Sequence, residues 1–234
     1  MRFEIININE ITAAEYAAVL SKQPPVERER LSGLRPDDRK RSLAARFLAA
    51  ELAEKVYGRK DFVPFFTENG APRADFCYLS LAHAGEYAAC AVSDRAVGID
   101  IEPEGSFKKR DKYLLFSATE SRFVNAAELC GNPAACTLTA NTSGTAALPG
   151  IVSETSSVLL CAADSCAPDT SAGRFYTLWT MKEAYIKAAG GRLADAAKTR
   201  LVTESGALQS EIDGYGFAVG RLNEYHIAVC EAFA

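Results

Sequence analysis

An α+β fold is what this sequence predicts, and three observations lead there. Short apolar-alternating runs at both ends read as strands, long runs with apolar residues three to four apart read as helices, and the two kinds are interspersed without strict βαβ alternation. A chain of 234 residues, 48% apolar and 24% charged, can bury a substantial core. At about 150 residues per domain it predicts between one and two domains. The net charge of −4 gives no general attraction to nucleic acid or to a membrane surface. No apolar run approaches the ~18 residues of a membrane span, and the opening Met1-Arg2-Phe3-Glu4 lacks the layout of a signal peptide. A cytoplasmic protein is expected.

Residues 2–8 read as the opening strand, with Phe3, Ile5 and Ile6 as its apolar members. A helix over 12–20 follows and is broken by Pro24-Pro25. From Glu27 to Arg46 there are seven basic and four acidic residues, a local positive excess in an acidic chain. The second part of that stretch enters a helix over 36–57, where Leu43, Phe47, Leu48, Leu52 and Val56 mark one buried face and Gly58 ends the run. Strands over 78–82 and 87–92 pair around the turn Ala84-Gly85-Glu86. In a strand over 97–102, Val97, Ile99 and Ile101 point one way and Gly98, Asp100 and Glu102 the other. Helices over 119–129 and 175–189 follow, the second closed by Gly190-Gly191, and strands over 208–212, 217–222 and 225–232 finish the chain.

Between 123 and 173 the composition changes. Those 51 residues hold no Lys or Arg, four acids, and 23 Ala, Ser or Thr, which predicts an inserted surface segment in which the apolar stretch 158–163 can pack. The seven cysteines are odd in number and include no C-x-x-C pair, so free thiols in a reducing compartment are expected.

Several side chains can carry chemistry. Asp100 and Glu102, two apart on a strand, point the same way and either share a hard cation such as Mg²⁺ or form the solvated face of a half-buried strand. On the helix Trp179-Thr180-Met181-Lys182-Glu183-Ala184-Tyr185-Ile186-Lys187-Ala188, Glu183 and Lys187 share a face in the favourable order. His83 stands where a strand ends in a tight turn, a common place for a functional group. Arg39-Lys40-Arg41 with Arg46 could clamp an anion or form a solvated helix face. His226, in an apolar closing strand, is given no role.

Taken together and in this order, these features resemble the Sfp-type 4′-phosphopantetheinyl transferases. The resemblance rests on Leu81-Ala82-His83-Ala84-Gly85, Val97-Gly98-Ile99-Asp100-Ile101-Glu102, Phe116-Ser117-Ala118-Thr119-Glu120 and the Trp179 to Ala188 helix, and it covers most of the chain outside the insertion. It implies a two-lobed pseudo-dimer with lobes over 1–104 and 105–234, an insertion at about 125–173 in the second, and the site in the cleft between them. It implies a monomer that moves the 4′-phosphopantetheine arm of coenzyme A onto a serine of an apo acyl or peptidyl carrier protein, with Mg²⁺, releasing adenosine 3′,5′-bisphosphate.

Carried over by position, Asp100, Glu102 and Glu183 would hold Mg²⁺, with Glu120 as a further acid beside it. Glu183 is also the family's candidate base for the serine. Lys182 and Lys187 match pyrophosphate-contacting lysines. His83 matches a contact to the 3′-phosphate, and Arg41 a basic residue in the same region. The family's Gly-Lys-Pro or Gly-Arg-Pro reads Gly70-Ala71-Pro72 here with Arg73 next, so Arg73 is the expected replacement cation. Lys108-Lys109-Arg110 is a candidate patch for an acidic carrier. Two readings of another class stand beside this one: a non-catalytic module that binds coenzyme A or a carrier protein, and a metal-dependent phosphodiesterase.

Overall fold

The computed structural model describes residues 1–105, 115–129, 160–165 and 168–233. In chain order the elements are β1 (Arg2–Asn7), α1 (Ala13–Lys22), α2 (Pro25–Ser32), α3 (Pro36–Tyr57), β2 (Phe65–Phe66), β3 (Pro72–Arg73), β4 (Tyr78–Ala84), β5 (Tyr87–Ser93), β6 (Val97–Pro103), α4 (Ala118–Leu129), β7 (Leu160–Ala162), α5 (Ser171–Ala189), β8 (Glu211–Ile212), β9 (Tyr215–Leu222) and β10 (Tyr225–Ala232). The mixed α+β class follows. The candidate patch 108–110 and most of the insertion lie outside the described residues.

Local signals set the element ends. Thr12 caps α1 in a capping box: its hydroxyl accepts from the Glu15 amide at 3.3 Å while the Glu15 carboxylate accepts from the Thr12 amide at 2.7 Å. Helix α3 ends at Gly58, which takes φ 65°, the left-handed conformation that glycine adopts without a Cβ penalty. Helix α2 was not expected. Pro25 stands in its first turn, where the missing amide costs nothing, so the residue that breaks α1 also starts the next helix.

Two antiparallel sheets form the centre, one in the order β1-β5-β4 and one in the order β6-β10-β9-β7. Period-two alternation gives each sheet two apolar faces. Outer residues of the first sheet (Leu79, Ala88, Cys90, Val92) pack under Ala44, Leu48 and Leu52 of α3. Its inner residues, including Phe3, Ile5 and Ala89, meet Val97, Ile99, Ile101, Ile227 and Val229 of the second sheet. The far face of that sheet packs Phe217, Val219, Ala228 and Cys230 against Phe175, Leu178, Met181 and Ala184 of α5. The layers therefore run helix, sheet, sheet, helix.

Strand β6 follows β5 in sequence but joins the other sheet. It lies within the first 104 residues, yet it pairs along its length with β10, from Val97 opposite Glu231 to Pro103 opposite Tyr225. Sequence adjacency to β5 favoured the first lobe, but the hydrogen-bonding edge it fills belongs to the second sheet. The stretch expected over 158–163 contributes β7, which pairs with β9, and a buried Ala163. Cys77, Cys90 and Cys230 are free thiols, whereas Cys161 is disulfide-bonded. Spacing along the chain says little about which sulfurs approach in space, which is why that pairing was missed.

Candidate active site

A cavity of about 570 Å³ opens between the two sheets. Its walls include His83 from the end of β4, Asp100 and Glu102 from β6, Lys187 from α5 and Arg46 from α3. At the seam, the Ile99 amide donates to Ser80 Oγ at 3.0 Å, joining β6 to β4. Gly98 lets α5 rest directly on β6: a Cβ there would stand 1.9 Å from the Ala184 carbonyl oxygen. That close approach brings the α5 side chains to the carboxylates of β6.

Asp100 is the electrostatic centre of this wall. It is 6% exposed, and its Oδ1 accepts from Lys187 Nζ at 2.7 Å. Its Oδ2 is buried without a hydrogen-bond partner. The Asp100 carboxyl is pushed up to about 7, chiefly by burial, with Lys187 opposing and the charges of Glu183 and Glu102 adding to the rise. Lys187 also donates to the Ile99 carbonyl at 3.1 Å, which fixes its head at the strand. Glu102 Oε1 accepts from Trp179 Nε1 at 3.1 Å, so the lone tryptophan of the helix motif orients a carboxylate. Glu183 is half-buried one turn before Lys187, close enough for its charge to act on Asp100.

His83 stands exposed on the opposite wall. The surrounding protein holds its imidazole below the ordinary value, and the charges of Lys187, Arg41 and Arg46 act in the same direction. Each of these cations is paired with a carboxylate: Lys187 with Asp100, Arg41 with Asp38 and Arg46 with Glu27. Arg41 adds charge from behind: it donates to Asp38 at 2.6 Å and to the Gly85 carbonyl at 3.4 Å.

Glu183 and Arg41 do not line this cavity, and three further expected members stand elsewhere. Lys182 is fully buried on α5, pairs with Glu120 at 3.0 Å, and donates to the Ala196 and Thr199 carbonyls at 2.7 and 2.6 Å. It cannot reach a pyrophosphate in the cavity. Glu120 is equally buried and also accepts from the Leu201 and Ser117 amides at 3.0 and 2.8 Å. It ties α4 to α5 and to the backbone at Leu201, and it does not line the cavity. Arg73 is exposed and lines a different cavity of about 640 Å³, beside Tyr78, Asp94 and Tyr215. It therefore does not replace the missing cation on the His83 side.

The sequence understated Arg46. It is 3% exposed, its Nη1 donates to the Ser42 carbonyl and hydroxyl at 2.9 and 3.1 Å, and its guanidinium lies 4.3 Å from the centre of the Phe66 ring. The available signal was an arginine within the apolar stripe of a helix, between Leu43 and Leu48. His226 is buried as well, with Nδ1 3.1 Å from Thr177 Oγ1 and Nε2 3.0 Å from Glu104 Oε2.

Among the described residues, no three acidic, histidine or cysteine side chains are grouped closely enough to form a metal site by themselves. Mg²⁺ takes most of its shell from water and phosphate and needs only one or two carboxylates. The unpartnered Asp100 Oδ2, with Glu102 and Glu183 acting on the same carboxyl, is a hard oxygen donor of that kind. The donor set fits such an ion. Compared with known proteins, the chain matches no family model and no curated sequence, and the chemistry of this cleft is read from its own residues.

Proposed function

We propose that the chain is a 4′-phosphopantetheinyl transferase of the Sfp type: a two-lobed pseudo-dimer, acting as a cytoplasmic monomer. It moves the phosphopantetheine arm of coenzyme A onto a serine of an apo acyl or peptidyl carrier protein and releases adenosine 3′,5′-bisphosphate. One observation carries this reading. Asp100 and Glu102 of β6 and Lys187 of α5, far apart in sequence, line one cavity together with His83, and Trp179 of the same helix donates to Glu102.

The residues divide the work. Arg46 and His83 attract the nucleotide's phosphate, and Lys187 faces the diphosphate as a point charge. Asp100, Glu102 and Glu183 would hold Mg²⁺, which when bound neutralises charge on the phosphate oxygens. The carrier serine Oγ forms a bond to the phosphorus that bears the pantetheine. The bond from that phosphorus to the bridging oxygen breaks, and the electron pair leaves with adenosine 3′,5′-bisphosphate. The serine proton passes to the Glu183 carboxylate, and Lys187 stabilises the charge gained by the leaving group. With Lys182 engaged inside the second lobe, that duty rests on Lys187 alone.

The test is incubation with coenzyme A, Mg²⁺ and an apo acyl carrier protein, followed by mass spectrometry of the carrier. Addition of one phosphopantetheine arm is the expected result. Coenzyme A binding with no change in the carrier would favour a binding module. Cleavage of coenzyme A without any carrier would favour a phosphodiesterase.

A further inference from the structure

One end of the cavity is occupied by the protein itself. Arg30 and Arg46 both line it, and the Glu27 carboxylate sits between them. Arg30 Nε donates to Glu27 Oε2 at 3.0 Å and Nη2 to Oε1 at 2.6 Å, and Arg46 Nη2 donates to the same Oε1. An anion held between two guanidinium forks, with Ser42 behind one of them, is the arrangement by which proteins bind a phosphate monoester. Here a carboxylate of the chain supplies the anion.

Arg46 is not satisfied by that carboxylate. Its Nε is buried without a partner, although the side chain is almost wholly enclosed. A phosphate presents three terminal oxygens where Glu27 presents two, so it can use the donor that the carboxylate leaves over. Glu27 is also placed to yield. It stands in the first turn of α2, whose only buried residue is Leu31 near the far end, while its neighbour Val26 is 80% exposed. Its side chain can keep Arg30, three residues on in the same helix, and release Arg46.

We propose that Glu27 is an internal stand-in for a ligand phosphate: it neutralises Arg46 in the free protein and is displaced from it by the phosphate of an incoming nucleotide. This rests on the reading that the cavity takes a phosphorylated nucleotide. The consequence is selectivity through competition. A ligand carrying a phosphate at this end can exchange with Glu27, whereas one lacking it leaves the ion pair in place and gains nothing from Arg46.

The experiment is titration calorimetry of adenosine 3′,5′-bisphosphate and of adenosine against the full chain, Glu27→Gln and Glu27→Asp, with folding of each checked by circular dichroism. Glu27→Gln removes the competing charge and keeps the shape, so the bisphosphate is expected to bind about tenfold more tightly. Glu27→Asp keeps the charge at shorter reach, and its affinity should fall between the other two. Adenosine should bind all three alike. Bisphosphate binding equal to or weaker than wild type in both variants would overturn the proposal, as would equal tightening for adenosine. A protein that transfers phosphopantetheine but whose bisphosphate affinity is indifferent to residue 27 would keep its function and lose this inference.

Discussion

Gly98→Ala should separate α5 from β6 and, with it, Lys187 from Asp100. The added Cβ would stand 1.9 Å from the Ala184 carbonyl oxygen and 2.9 Å from the Ala188 amide nitrogen, both backbone atoms of α5. Ordinary contact begins near 3.4 Å, so the helix must retreat by about 1.5 Å, and no side-chain rotation can relieve the clash. Alanine normally favours a strand over glycine by ~0.5–1 kcal/mol, but the overpacking costs ~1–3 kcal/mol and dominates. Urea unfolding should therefore show a net loss of about 1–2 kcal/mol. The 2.7 Å ion pair between Lys187 and Asp100 would be stretched by a comparable displacement, and a shift of about 1 Å at a reacting centre can cost about a hundredfold in rate. The assay is the rate of carrier modification, measured beside the unfolding curve. Unchanged stability and full turnover in Gly98→Ala would refute the claim that this contact sets the geometry of the cleft.

Asp100→Asn and Glu183→Gln should each lower carrier modification by about a hundredfold or more, with Glu183→Gln melting close to wild type; near-normal turnover would remove that carboxylate from the mechanism. Lys182→Met should destabilise the fold by ~3–5 kcal/mol in urea, because it strands the buried Glu120 charge, whereas Lys187→Met should chiefly abolish transfer. Wild-type stability in Lys182→Met would return that lysine to the list of ligand contacts.

Acidification offers another check. Burial holds His226 below its ordinary value, Arg221 acts in the same direction and Glu104 opposes. The unfolded chain therefore takes up that proton first, and this contribution to stability is lost as pH falls through about 6.5. His83 acts with the same sign, while Asp100, with its carboxyl raised, acts with the opposite one. The comparison is thus between wild type and His226→Gln, whose stability should fall less between about pH 7.5 and 5.5. Identical profiles would exclude His226.

The regular elements were legible because their signals are local. The helix over 36–57 was expected within the bounds it has, since Pro36 opens it and Gly58 can adopt the left-handed turn that ends it. The alternation from Val97 to Glu102 correctly separated the residues facing the first sheet from those facing α5. The partner of β6 was not legible, because strand pairing depends on which edge is open in space. Nor was the division of labour between the two helix lysines read correctly, although helical geometry contained it. At about 100° per residue, Lys187 falls about 40° from Glu183, whereas Lys182 falls about 140° from Lys187. One faces the cleft and the other the packed interior. Arg46 was expected only as one member of a cationic helix entry, because the residue turned inward looks the same on paper as its exposed neighbours.

The two walls of the cleft belong to different sheets, His83 to one and the β6 carboxylates to the other. A molecule gripping both would act as a clasp across the layers, and parting the halves would mean expelling it. Occupancy and stability are thereby linked: a ligand that binds only the folded protein raises its resistance to heat, and depletion of that ligand lowers it.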